Sequence, residues 1–238
     1  MGSVLEIFNQ AIGACGVRSV INDPTENSPE AITCRRYYEQ ALTSTLQMGW
    51  WNFAQRTEYL TLYAAGRGTP ESVSTNTNWL RTDPPPPWNY AYRMPADIIQ
   101  VRALVFEVSQ NTFSPPQKFK TMTMYDAINA TYIPVVVTNL TKAIGIYTAN
   151  VRDPSLFDGQ FVDALITRLA ADMAMELTGD IKVWQKCEKV WKDLQAQALA
   201  SDANEGLGYV THIPATLAVR GYNESGDPSL YIPAGELT

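Results

Sequence analysis

The chain has 238 residues, 45% hydrophobic, 11% aromatic and 18% charged, a charged share below the roughly 25% of ordinary globular proteins. A chain this long buries about 70–75% of its unfolded surface without a covalent staple, and Cys15, Cys34 and Cys187, an odd number without short spacing, read as small buried apolar residues rather than a disulfide framework or zinc site. The balance of 18 basic against 24 acidic residues, net charge -6, excludes a protein whose main task is to grip phosphate by charge. The acidity is C-terminal, since residues 1–150 hold 11 acidic and 11 basic side chains and residues 151–238 hold 13 and 7. With no basic-then-apolar leader and no apolar run near the ~20 residues that span a bilayer, the expectation is a soluble protein made in the cytoplasm.

Ser3-Val4-Leu5-Glu6 has the form of a capping box, and Val4, Ile7, Phe8, Ala11, Ile12 and Cys15 follow at helical spacing up to the stop signal Gly16. A second start, Asn27-Ser28-Pro29-Glu30, leads into the stripe Ala31, Cys34, Tyr38, Ala41, Leu42, Thr45 and Leu46 and predicts a helix to about Gly49. That helix delivers the aromatic cluster Trp50-Trp51-Asn52-Phe53-Ala54. From Arg56 to Val151 the pattern changes to short β-branched and aromatic runs at 59–63, 98–106, 119–124, 132–137 and 143–147, separated by turn formers, which predicts a small β domain. The run Asp83-Pro84-Pro85-Pro86-Pro87-Trp88 cannot join a ladder and is expected as a stiff loop at the sheet. Helical spacing returns after Asp153-Pro154. Phe161, Leu165, Leu169, Met173 and Leu177 form one stripe, Gly179 stops it, and Ile181, Trp184, Cys187, Trp191, Leu194 and Ala198 form another. The link Thr178-Gly179-Asp180 is short enough to require an antiparallel hairpin.

The pattern therefore predicts an α+β fold: a discontinuous antiparallel four-helix core (residues 1–55 plus 152–205), an inserted small antiparallel β domain (56–151) and an extended C-terminal arm (206–238). The arm is rich in Gly and Pro yet keeps isolated large apolar residues, a composition that disordered segments avoid. Tyr209, Ile213, Leu217, Tyr222, Tyr231 and Ile232 are its candidate partner-binding residues, on a neighbouring subunit or another protein.

Catalytic signatures are sparse. His212, the sole histidine, lies in the arm, far from any cysteine nucleophile. One histidine and scattered cysteines leave only an all-oxygen metal site, and there is no Asp-rich calcium loop. Gly66-Arg67-Gly68 precedes no helix, and no Walker loop occurs. The reading is a protein without catalytic, metal-binding or cofactor-binding residues. Two alternatives stay open: a carbohydrate- or receptor-binding tail module using exposed rings such as Trp79 or Trp88, and a cell-wall glycosidase using a carboxylate pair. Trp50, Trp51 and Phe53 fit a hydrophobic knot between subdomains better than a sugar platform. Arg35-Arg36, beside Glu39, reads as a solvated pair rather than a phosphate site.

Two N-terminal helices, the exit Trp51-Asn52-Phe53-Ala54 into a β segment, Tyr90-Ala91-Tyr92-Arg93-Met94-Pro95-Ala96-Asp97, a helical hairpin joined by Leu177-Thr178-Gly179-Asp180, and Ala200-Ser201-Asp202-Ala203-Asn204-Glu205 occur in this order. Over residues 3–205 the chain resembles the head-to-tail adaptors of short-tailed bacteriophages, also called tail tubular protein A or tail accessory factors. The resemblance implies a structural virion protein of the neck, not an enzyme. Its partners would be other copies in a dodecameric ring, the portal protein and the tail nozzle protein, with genomic DNA passing through a central channel without specific binding, and no membrane.

Overall fold

The computed structural model describes residues 3–67, 69–72, 80–109 and 112–205, apart from the side chains of 109, 112 and 197–205. The chain divides into two units, Met1–Leu199 and Ala200–Thr238, and of the second only 200–205 is described. The first helix, α1 (Val4–Ala14), opens on both reciprocal bonds of the capping box. It closes at Gly16, whose φ of 80° lets Gly16 N–H and Val17 N–H return to the carbonyls of Gly13 and Ile12. The second helix, α2 (Pro29–Met48), has Ser28 as N-cap and proline in its first turn. After a 3₁₀ turn at Asn52–Ala54 come β1 (Gln55–Tyr59), β2 (Leu62–Ala65), β3 (Tyr90–Arg93), β4 (Ile98–Val105), β5 (Glu107–Ser109), β6 (Thr112–Phe113), β7 (Phe119–Asp126), β8 (Thr131–Thr138) and β9 (Ile144–Ala149). Two helices follow, α3 (Gly159–Thr178) and α4 (Ile181–Glu205), separated by Gly179 at φ 64°.

All strand pairings are antiparallel: β1-β9-β4 form one sheet, β2-β3-β8-β7 another, and β5-β6 a hairpin. The predicted run Tyr59–Tyr63 is not one strand. Leu60 and Thr61 carry the chain from the first sheet into the second, with Leu60 N–H bonded to Ala143 and Arg93 N–H bonded to Thr61. Strand alternation then sorts side chains between two cores. Tyr90, Tyr92 and Val136 join Leu60, Val101 and Leu104 between the sheets, while Ala91, Val135 and Val137 face the other way with Met124, beneath Trp88 of the proline loop. Pro134 is tolerated because β3 ends opposite Val135, so the missing N–H falls where β8 has lost that neighbour.

The expected four-helix core is not what forms. The helical core is built by α1, α2 and α3, with α3 packed against both of the others. The place a fourth helix would take is filled by the first sheet and its flanks: Trp51, Ala54, Tyr147, Ala149 and Val151 belong to the same buried cluster as Phe8, Leu42, Phe161 and Leu169. The helix expected there, α4, contributes one buried side chain among its described residues, Cys187, with Val183 packed partly buried beside the core. Its stripe is too narrow for more, since Ile181 and Trp184 lie outside the core, 56% and 37% exposed. The fold remains α+β, with a three-helix core closed by a sheet.

Candidate functional site

The aromatic exit from α2 is a junction, not an open platform. Trp51 is buried, packs edge-on against Phe161 at 5.1 Å and donates its Nε1–H to the Thr45 carbonyl at 2.8 Å. Phe53 meets Phe161 and Phe157 at 4.9 and 5.5 Å. Beside it, Arg102 of β4 reaches the carbonyls of Leu46, Gln47 and Gly49, and its Nε–H bonds Thr148. The register of β4 slips between Val101 and Ala103, the kind of bulge that re-aims a side chain. Trp51 and Arg102 together occupy the orphan carbonyls at the C-terminal end of α2, where a cation also complements the helix dipole. Sequence reasoning missed Arg102. Its one signal was a charged residue in the middle of the otherwise apolar run 98–106.

The cysteines are buried. Burial foremost pushes the Cys15 and Cys34 thiols up to about 12, so they remain protonated and poorly nucleophilic. Arg35 and Arg36 are both exposed, as expected of a solvated pair, and each is also held by bonds within the chain. Arg35 donates to the carbonyls of Pro24 and Glu26, and Arg36 bonds Glu176 at 2.6 Å. Thr33 and Tyr37 reach the same carboxylate at 3.2 and 2.9 Å. The hydrogen bond from Tyr37 is the main cause that holds Glu176 below the usual carboxylate value. Glu176 is thus a pin between α2 and α3.

For the carbohydrate or glycosidase readings, Glu58 and Asp97 are two carboxylates that converge on one group, their oxygens 2.9 and 3.3 Å from the Tyr147 hydroxyl. Both carboxylates sit on the open surface. Burial foremost, then Glu58, pushes the Tyr147 phenol up, so it serves as a donor that fixes β9 to its neighbours. A cleft of about 500 Å³ lies between Tyr59, Phe106, Glu107, Val108 and the turn 139–142. A second, of about 340 Å³, runs beside β2 and the turn 126–128. Trp88 is half-buried on the second sheet, and Trp79 lies outside the described residues. Among the described residues no group of His, Cys, Asp and Glu is arranged to hold a metal ion, and no helix is long and apolar enough to cross a membrane.

A further surface is offered by α4. Asp180 opens it by accepting from Lys182 N–H at 2.8 Å. Arg168 of α3 lies over the Trp191 ring at 4.8 Å, so α4 runs back along α3. Within that seam Arg168 pairs with Asp172 at 2.8 Å, while Arg168 Nε, Asp172 Oδ2 and Trp191 Nε1 are buried without a hydrogen-bond partner in the protein. Flanking the seam, Ile181, Trp184 and Val190 are 56%, 37% and 40% exposed. Lys182, Lys186 and Lys189, spaced i, i+4 and i+7, share an outward face.

Tyr209, Ile213, Leu217, Tyr222, Tyr231, Ile232 and His212 lie outside the described residues, and the partner-binding role expected of the first six rests on composition. Compared with known proteins, the chain matches no family model and no curated protein.

Proposed function

We propose that this protein is a head-to-tail adaptor of a short-tailed bacteriophage. It would form a ring, dodecameric by resemblance, between the portal and the tail nozzle, with a central channel for the genome. The observation that carries the reading is the ordered set of motifs: a helix pair, the Trp51–Ala54 exit, a β segment, and a helical hairpin turning at Leu177–Asp180. A helix such as α4, seated among its described residues by one fully buried side chain and with apolar residues left at the surface, suits a subunit that is completed by neighbours. In this reading the helices near 155–200 build the ring wall, the β segment faces the nozzle, and the arm 206–238 docks on the portal or an adjacent copy.

Electron microscopy of the purified protein mixed with its portal tests the proposal. Rings seated on portals are the expected result, and protein that never joins a portal would overturn it. Deleting 206–238 should leave a folded protein that no longer joins portals; normal assembly of that truncated form would remove the arm from the account.

A further inference from the structure

We infer that Cys15 and Cys187 are a redox pair: a low-molecular-weight disulfide oxidises the two thiols to a bridge that fastens α4 to the end of α1. Cys15 caps the C-terminus of α1, and Cys187 is the buried side chain that α4 contributes among its described residues. The Cys187 Sγ lies 3.8 Å from the Ala14 carbonyl oxygen, an atom of the peptide bond that joins Ala14 to Cys15. The Cys15 Sγ lies 3.3 Å from the Ala170 carbonyl of α3, so both sulfurs stand where α1, α3 and α4 meet. The two thiols also hydrogen-bond each other, a contact felt in the acidity of both. From such contact a small side-chain rotation reaches the S–S separation of about 2 Å in a disulfide. Cys34 is on α2, and its thiol is engaged with the Met173 sulfur at 3.7 Å. Along α4, Cys187 is flanked by the partly buried Val183 and by Trp191 under Arg168, so a covalent bond between them turns a lightly seated helix into a tethered one.

Burial keeps Cys15 protonated in the closed fold, so exchange waits on motion of α4. Cys187 reacts first, because it leaves the core when α4 lifts. It gives up its proton, its sulfur attacks one sulfur of the oxidant RSSR, and the S–S bond breaks to expel RS⁻. When α4 returns, Cys15 loses its proton and attacks the Cys187 sulfur of the mixed disulfide, expelling the second RS⁻. The two released protons convert both leaving groups to RSH, so the protein dithiol is oxidised and RSSR is reduced to two thiols.

The test treats the reduced full-length protein with oxidised glutathione. Its intact mass should fall by two hydrogens, and peptide mapping without reductant should join the peptides that hold Cys15 and Cys187. The bridge closes a loop of more than 170 residues, so the oxidised form should unfold about 10 °C above the reduced one. Trypsin should cut at Lys182, Lys186 and Lys189 severalfold more slowly after oxidation. Cys34→Ala should keep all of these effects, and Cys15→Ala and Cys187→Ala should each lose them, with circular dichroism checking that the variants fold. The map of the wild type decides the pairing even where a variant does not fold. No loss of hydrogens, a bridge to Cys34, a bridge only between two chains, or a glutathione adduct left on Cys187 would each overturn the pair. Portal binding has no bearing on this outcome, so the pair and the adaptor reading stand or fall separately.

Discussion

Arg102 does the work of a helix cap from a strand, across a distance no local motif would reveal. Replacing it by Met leaves the carbonyls of Leu46, Gln47 and Gly49 without their charged donor and should cost about 2–3 kcal/mol, read as a lower urea midpoint, with Arg102→Lys recovering part of the loss. Phe161 is fully buried against three rings, so Phe161→Ala should cost about 3–5 kcal/mol in the same measurement. The two residues differ in how visible they were. Phe161 stood on a helical stripe and could be assigned to a core from spacing alone. Arg102 needed a bulge, a neighbouring helix end and a register, all of which depend on segments more than forty residues away.

At the scale of elements, Glu176 decides how α2 and α3 respond to acid. Its folded value is depressed, so its contribution is fully present above the unfolded value near 4.5 and is lost as pH falls through the lower folded value. Asp172 has the opposite sign: burial raises it, so ionising it opposes folding, and stability drops as pH rises from about 3.8 through the raised value. Glu176→Gln should therefore flatten the acid limb of a stability-against-pH curve, and Asp172→Asn should remove a decline at slightly higher pH; denaturation at a series of pH values separates them. The caps at Ser3, Ser28 and Asp180 and the stops at Gly16 and Gly179 were legible because each is settled within a few residues. What α4 packs against was not. A period of 3.6 reports that a helix has an apolar stripe and is silent on whether a helix, a sheet or another molecule covers it. Here the sheet flank with Tyr147, Ala149 and Val151 took the position assigned to α4. The split of 59–63 between two sheets was hidden for a related reason, since β1 pairs with β9 and β2 with β3, and neither partner is adjacent to that run. Of the candidate partner-binding residues, composition alone could nominate the set in the arm, while the exposed side chains of α4 emerged only once the core was known to exclude them.

On the scale of the whole molecule, the first two helices belong to a core that is completed by the last third of the chain. The Cys15 thiol meets the Ala170 carbonyl and Thr33 meets Glu176, so α1 and α2 have no α3 to cover them until the β strands have been made. From the end of α2 at Met48 to the end of α3 at Thr178 is 130 residues, which at ribosomal speed is on the order of ten seconds. Throughout that interval Ile7, Phe8, Ile12, Leu42 and Leu46, all buried in the finished protein, lack the α3 surface that covers them, with only the contact between α1 and α2, such as Phe8 on Tyr38, to shelter them. Synthesis itself is therefore the exposed moment in this protein's life. Nascent chains arrested after residue 150 should be captured by a chaperone that binds apolar segments and be cut readily by protease, and release of chains extending past residue 205 from the ribosome should abolish both. Equal protease resistance at the two lengths would show that the N-terminal helices find shelter earlier than the fold implies.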